Sequence, residues 1–292
     1  MGYYVKKQEI VTKMQQFLNC NGYKEVHTPI LRRDAGELIK RVKLENDLPY
    51  ALRDSHELQL RWLLTEFDSV YEIGACFRHE TADKATTNIN EFLLMELFTS
   101  KYNLSHIKKL VKELILSLKP NTVFEEISVS EKIKKDLKID LATDSQEKLY
   151  ECLRKKYIDK FFEHDYEYVL YYIETEIEPL SKGKVVFFSD YPECTCSYAD
   201  IKQGNIINRF ELFANELELA NGFDDECDYV RFMERNKKLP IFSKEEKAIA
   251  EALKNGKLPS ASAGVGIGIE RLCMFLFSVN DIGKFSFTSN AF

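Results

Sequence analysis

Between Gly264 and Arg271 the chain reads Gly-Val-Gly-Ile-Gly-Ile-Glu-Arg and then runs into the apolar stretch Leu272 to Phe277. Side chains of a strand alternate between its two faces. Val265, Ile267 and Ile269 therefore share one face, and Gly264, Gly266 and Gly268 share the other, with Glu270 following them. One face can hold a core; the other is bare main chain that ends beside a charged pair. Glycine weakens a strand unless something approaches its backbone closely. A flat ligand is one such visitor, and Arg271, opening the next element, is a cation suited to a phosphate or to stacking on a base. Close packing against a neighbouring helix is the other reading.

A second strand pair is expected upstream. Val70 to Glu80 and Glu91 to Phe98 read as strands around a polar loop, Thr81 to Asn90. Period two puts Glu72, Gly74, Cys76, Arg78 and Glu80 on one face of the first, and Phe92, Leu94, Glu96 and Phe98 on one face of the second. If the two faces coincide, an arginine, carboxylates and aromatic rings converge on one surface.

Arg209 to Phe223 reads as a hairpin. With a two-residue turn at Ala214-Asn215, Glu211 lies directly opposite Glu218. With the turn at Asn215-Glu216 the two are diagonal neighbours on the same face. Like charges so placed repel, and a cation between them relieves this. Mg²⁺, which takes one or two carboxylates together with substrate phosphates, is one candidate; a lysine or arginine is the other. A three-residue loop would put the glutamates on opposite faces.

The remaining elements are mostly helical. Residues 6–21 form an amphipathic helix through Ile10, Val11, Met14, Phe17 and Leu18, stopped at Asn21-Gly22. Lys24 to Leu31 follows as an extended piece, with Pro29 suiting an edge or an interface. Glu57 to Leu64 and Leu104 to Leu118 are helices. Residues 120–165 read as a charged helical insertion, Asp165 to Pro179 as a helix with core tyrosines, and Val185 to Ser189 as a buried strand. Ser243-Lys-Glu-Glu246 is a capping box that opens a helix ending at Gly256. Mixed helices and hairpin-paired strands make an α+β fold with an antiparallel sheet.

Composition narrows the class. With 292 residues, 45% of them hydrophobic, the chain can bury a substantial core. A net charge of −6 argues against broad attraction to nucleic acid. The 7 cysteines are odd in number and irregularly spaced, which suits free thiols in a reducing, cytoplasmic setting rather than a disulfide frame or zinc site. No apolar run approaches the roughly 20 residues of a membrane span.

These stretches together resemble the catalytic core of class II aminoacyl-tRNA synthetases, in the lysyl branch. The helix and strand Lys6–Leu31, with Pro29, is similar to the first, dimer-forming motif. Phe77-Arg78-His79-Glu80, a loop, then Glu91-Phe92-Leu-Leu-Met-Glu96-Leu-Phe98 resembles the second. Gly264 to Arg271 resembles the third, and Arg209-Phe-Glu211 with Glu218-Leu-Ala-Asn221-Gly-Phe223 resembles the lysyl subgroup's own stretch. The resemblance covers nearly the whole chain and implies a single catalytic domain over 1–292. No anticodon-binding domain is expected, because the first motif opens the chain. That layout is similar to stand-alone paralogues that attach a lysine-type amino acid to a lysine of elongation factor P.

The resemblance implies roles. Arg78 and Arg271 are the catalytic cations, on the α- and γ-phosphates. Glu80 reads the adenine amino group, Phe92 stacks on the ring, and Gly266 and Gly268 underlie the nucleotide. Glu211 and Glu218 carry Mg²⁺ on ATP. Glu57 takes the α-ammonium, while Glu96, Phe98, Asn221, Phe223 and Asp225 surround the amino acid's side chain. Phe98 and Asp225 depart from the subgroup's Tyr and Glu, and Thr87-Asn88 stands where basic residues are usual. Gly266 keeps the synthetase-like glycine where β-lysine-type ligases tend to have alanine, which points to an α-amino acid. The implied activity is ATP-dependent formation of an aminoacyl-adenylate and transfer to an amine, with elongation factor P as the expected acceptor. A homodimer through residues 6–31 is expected, and tRNA and membranes are not expected partners. Aminoacyl transfer to a small molecule or carrier protein, or a regulatory paralogue of lysyl-tRNA synthetase, are the alternatives.

Overall fold

The computed structural model describes residues 2–33, 42, 50–79, 86–236 and 243–286. The expected strand end and adenine contact at Glu80, and the first half of its loop, lie outside the described residues. The chain divides into two compact units, Met1–Pro120 with Cys227–Phe292, and Asn121–Glu226.

The first unit opens with helix α1 (Tyr3–Cys20), which buries Ile10, Met14 and Leu18 and stops at Asn21 and the left-handed Gly22. Only β1 (Lys24–Glu25) then pairs, parallel to a later strand, rather than the whole of Lys24 to Leu31. Past Val26 the ladder ends: the N–H of Thr28 donates to the Glu72 carboxylate at 2.9 Å, and Pro29 has no N–H to donate. Strands β2 (Leu31–Arg33) and β3 (Tyr50–Leu52) form a small antiparallel pair. Helix α2 (Glu57–Leu63) leads to the long antiparallel pair β4 (Ser69–Phe77) and β5 (Glu91–Thr99). Helix α3 (Leu104–Leu118), capped by the Asn103 side chain, buries Ile107, Leu110, Val111, Leu114 and Ile115 at helical spacing.

The second unit begins with β6 (Phe124–Ser128), a strand the charged sequence concealed. Phe124 and Ile127 do not alternate, and the strand is recognisable only by its parallel pairing with a later one. Helices α4 (Val129–Leu137), α5 (Gln146–Lys156) and α6 (Asp165–Tyr172) follow. The last turns tighten and widen irregularly before β7 (Val185–Pro192). Strands β8 (Ile201–Gln203), β9 (Ile206–Ala214) and β10 (Leu217–Asp224) complete a sheet whose neighbours, apart from β6 on β7, run antiparallel. Its core joins Val129, Ile133, Leu149, Leu153, Val169 and Tyr172 from the helices to Val186, Phe188, Phe213 and Phe223 from the strands. Each such side chain contributes about 1.5–3 kcal/mol on leaving water.

The chain returns to the first unit through α7 (Tyr229–Asn236) and α8 (Lys244–Lys254), which opens on the expected capping box of Ser243 and Glu246. Strand β11 (Ala263–Gly268) pairs antiparallel with β5, and α9 (Ile269–Phe277) follows at once. The first unit's sheet thus runs β1-β4-β5-β11. Among the described residues no helix is long and apolar enough to cross a membrane, and all seven cysteines are free.

Candidate active site

The β4–β5 register puts Glu72 opposite Glu96, Gly74 opposite Leu94 and Cys76 opposite Phe92. Facing residues share a side of the sheet, so the two faces read from the sequence are one surface. Its deep end is a polar network. Glu72 receives Arg53 at 2.6 Å and the N–H and hydroxyl of Thr28 at 2.9 and 2.8 Å. Arg53 also donates to the carbonyls of Ala75 and Thr28. Gly74 is required here, because a Cβ would fall 2.2 Å from the Arg53 guanidinium. Glu96 accepts from the Ser55 hydroxyl at 2.8 Å, from the His56 N–H at 2.5 Å and from His56 Nδ1 at 3.0 Å. Burial opposes the charge of Glu96, but the bonds from His56 and Ser55 prevail and hold its carboxyl below the usual range. Glu57 opens α2 half-buried, its N–H donating to the same Ser55 hydroxyl at 3.0 Å.

At the shallower end Arg78 and Phe92 are both half-buried, with the guanidinium 5.1 Å from the ring centre. Arg78 Nε donates to the Asp54 carbonyl at 3.2 Å. On β11, Val265 and Ile267 are buried while Gly266 and Gly268 are partly exposed. The three glycines are not equivalent. A Cβ on Gly264 would lie 2.5 Å from the ring of Phe98, so aromatic packing from the adjacent strand explains that glycine. A Cβ on Gly266 would meet Glu96 at 3.3 Å, and one on Gly268 finds nothing nearer than Arg271 at 3.9 Å. The bare face is therefore packed by Phe98 at Gly264, backed closely by Glu96 at Gly266 and open at Gly268.

Glu270 is a correction. The strand stops at Gly268, so Glu270 lies inside α9 rather than at the end of the glycine face. It is 3% exposed, takes Lys7 at 3.1 Å and accepts the N–H of Leu93 at 3.0 Å. Burial raises its carboxyl, with Lys7 acting against that. Arg271, half-buried, holds the loop before β5: its Nε donates to the Thr87 carbonyl at 3.2 Å and a terminal nitrogen to Asn88 Oδ1 at 2.9 Å. Phe98 turns into an apolar cluster with Leu60, Leu64 and Val70.

In the second unit β9 and β10 meet through Asn215 and Glu216, both with left-handed φ (51° and 65°), the turn that matches the twist of a hairpin. Of the two turns open from sequence, this one makes Glu211 and Glu218 diagonal neighbours on one face. A bulge after Glu218 then sets Asn221 directly opposite Glu211. Glu211 is already engaged: Arg209 pairs with it, and the Tyr191 hydroxyl donates at 2.7 Å. Arg209 also reaches Asn221 Oδ1 at 3.1 Å and lies 4.8 Å from the Tyr191 ring centre. Burial raises the Glu211 carboxyl; Arg209 and Tyr191 pull it down and the charge of Glu218 pushes it up. A carboxylate still raised with an arginine at hand, beside a second, half-buried carboxylate, is a donor set that a hard divalent cation fits. Among the described residues no three His, Cys, Asp or Glu side chains gather, so an ion here would share its coordination with phosphate oxygens. Phe223 is part of the unit's apolar core, and Asp225, 3% exposed, bridges through its backbone to Ala199.

Sequence reasoning did not nominate Arg53, Ser55, His56, Glu72 or Arg209 as site residues. Two had a signal. Glu72 shares the face of Arg78 by alternation, and Arg209 shares that of Glu211. Ser55 and His56 precede a helix with no pattern to mark them.

The family of class II tRNA synthetases (D, K and N) matches residues 4–288. The lysine–tRNA ligase of Mycoplasmoides gallisepticum is 28% identical over 313 residues, 96% of this chain and 63% of that protein. That of Malacoplasma penetrans is 29% identical over 97% of this chain and 64% of its own length. The elongation factor P–(R)-beta-lysine ligase of Buchnera aphidicola is 28% identical over 96% of this chain and 93% of that protein. The chain thus spans a little under two thirds of the lysine–tRNA ligases it matches. With a family match over nearly its whole length and the strand pairs that carry the motifs in place, this chain belongs to the class II tRNA synthetases of the D, K and N group.

Proposed function

We propose that this protein activates a lysine-like amino acid with ATP and passes the acyl group to an amine, a lysine of elongation factor P above all. The observation that supports it is the single surface of the first unit on which Arg78, Phe92, Glu96 and the partly exposed glycines 266 and 268 meet. An amino-acid carboxylate oxygen attacks the α-phosphorus of ATP, the α–β phosphoanhydride bond breaks, and pyrophosphate leaves. The acceptor amine then attacks the acyl carbon, loses a proton, and AMP departs. The protein's task in both steps is positioning and charge neutralisation. Arg78 holds the α-phosphate and the carboxylate, Phe92 offers its face to the adenine, and Arg271 clamps the γ-phosphate. Glu57 receives the α-ammonium and Glu96 the side chain. Glu211 and Glu218 would hold Mg²⁺, which neutralises phosphate charge when bound.

Amino-acid-dependent exchange of pyrophosphate into ATP tests the activation step. No exchange with any standard amino acid or with (R)-β-lysine ends this reading. The match that runs over 93% of a β-lysine ligase supports a protein acceptor. The lysine–tRNA ligases at equal identity favour a second reading, transfer to tRNA. Labelled amino acid offered elongation factor P and total tRNA together decides between them by where the label settles. A homodimer through residues 6–31 is part of the proposal, supported by Ile30 and Leu31, 42% and 52% exposed; sedimentation checks it.

A further inference from the structure

His56 is wholly buried between two carboxylates. Its Nδ1 is 3.0 Å from Glu96 and its Nε2 is 3.6 Å from Glu72. The thiol of Cys76 lies 3.8–3.9 Å from the ring nitrogens, and Arg53 sits on the far side of Glu72 at 2.6 Å. Ionised carboxylates only accept, so the ring is the donor, and the shorter contact puts a hydrogen on Nδ1, toward Glu96. Burial, then the charge of Glu96, push the Cys76 thiol far up, so it stays S–H and adds no charge beside the ring. Glu72, neutralised by Arg53, does not compete.

The consequence falls on Glu96. One of its oxygens, Oε2, receives the His56 N–H, His56 Nδ1 and a second approach of the Ser55 hydroxyl at 3.0 Å. The other, Oε1, has Ser55 at 2.8 Å and lies beside the bare Cα of Gly266, where a Cβ would come within 3.4 Å. A carboxylate gripped at one oxygen presents the other in a fixed direction, over the partly exposed glycine. We propose that His56 is the positioning residue of the amino-acid pocket: by holding Oε2 it fixes Oε1 of Glu96 over Gly266 as the acceptor for the cationic head of the substrate side chain. This rests on the proposed activation of a lysine-like amino acid.

Three substitutions separate positioning from packing. His56→Ala removes the ring's share of the grip and leaves the backbone N–H in place. His56→Asn returns a donor where Nδ1 stood, and His56→Gln returns one where Nε2 stood. In pyrophosphate exchange with the amino acid that supports it, His56→Ala raises the amino-acid KM about tenfold or more, with kcat and the ATP KM within about twofold, a selectivity set by one buried hydrogen bond to a charged group. His56→Asn restores the KM to within about threefold; His56→Gln does not. Equal losses for ATP and amino acid, no effect of His56→Ala, or recovery by Gln as good as by Asn would each overturn the assignment. Should the alanine variant fail to melt cooperatively, the Asn and Gln pair carries the comparison. An independent reading comes from nitrogen NMR of histidine-labelled wild-type protein. His56 carries a hydrogen on Nδ1, and Glu96→Gln shifts its ring signals; a ring with its hydrogen on Nε2 alone overturns the proposal. Absence of exchange in the wild type would sink the activation reading alone, since the NMR result stands apart from it.

Discussion

Glu96 in the first unit and Glu211 in the second are equally hidden, each 7% exposed, yet their carboxyls move in opposite directions. Burial opposes ionisation at both. At Glu96 it is overcome by donors that converge on one carboxylate, while Glu72, opposite it on β4, is paired with Arg53. At Glu211 an arginine and a tyrosine are also present, but Glu218 adds a like charge on the same face, and the carboxyl stays raised. Depth alone does not set the state of a buried acid. What decides is which neighbours reach it. At the first site hydrogen-bond donors gather on the carboxylate; at the second a like charge stands on the same face, and a cation between the two glutamates would relieve it.

The largest effect that could break this contrast is expected at the polar network of the first unit. Glu72→Ala leaves Arg53, 2% exposed, without its carboxylate. Stranding one member of a buried ion pair costs about 3–5 kcal/mol, read as a fall in the urea midpoint; a loss below about 1 kcal/mol would mean that Arg53 does not rely on that carboxylate. Next comes the glycine strip. Gly264→Ala should cost about 1–3 kcal/mol through overpacking on Phe98, whereas Gly268→Ala, with its nearest neighbour 3.9 Å away, should leave stability within about 0.5 kcal/mol. Equal melting shifts for the two would contradict the division into a packed and an open end.

A smaller effect sharpens the second site. Glu218→Gln removes a like charge beside Glu211 and one carboxylate from the proposed ion site, so affinity for Mg²⁺-ATP falls by about tenfold, or ~1.4 kcal/mol, while the melting point holds or rises slightly. Calorimetry that finds unchanged Mg²⁺-ATP binding would remove Glu218 from the ion's site. The smallest effect is on the pH dependence of stability. Glu96 is lowered in the folded state, so its contribution is present above the ordinary carboxylate range and is lost as pH falls through its folded value. Glu211 is raised, so its contribution is present below that range and is lost as pH rises through its folded value. Urea titrations of Glu96→Gln and Glu211→Gln should therefore change the slope of stability against pH in opposite senses, and slopes of the same sign would undo the comparison.

Much of this was legible before any coordinates. Period-two alternation gave the Arg78 face of β4, the Phe92 face of β5 and the glycine face of β11; that the first two coincide is decided by the β4–β5 register. The same rule kept Glu211 and Glu218 on one side under either two-residue turn. Alternation is silent where contacts join distant segments. Arg53 and His56 lie in an unpatterned stretch ahead of α2, and only folding brings them under Glu72 and Glu96. It also stops at element boundaries: Glu270 follows the strand pattern in sequence, but the helix begins one residue earlier and turns it inward. Strand β6 was hidden for another reason, since a parallel partner supplied the order its own side chains do not advertise.

The ion pair of Lys7 with Glu270 spans 263 positions of sequence. At ribosomal speeds of 5–20 residues per second, roughly ten to fifty seconds separate the birth of its two members. During that interval α1 has no carboxylate to meet, and the strip of backbone from Gly266 to Gly268 does not yet exist. A nascent chain released early would carry Arg78 and Phe92 near the ends of β4 and β5 with the β11 side of β5 unpaired, which makes the completeness of synthesis itself a condition for the surface they share with the glycines.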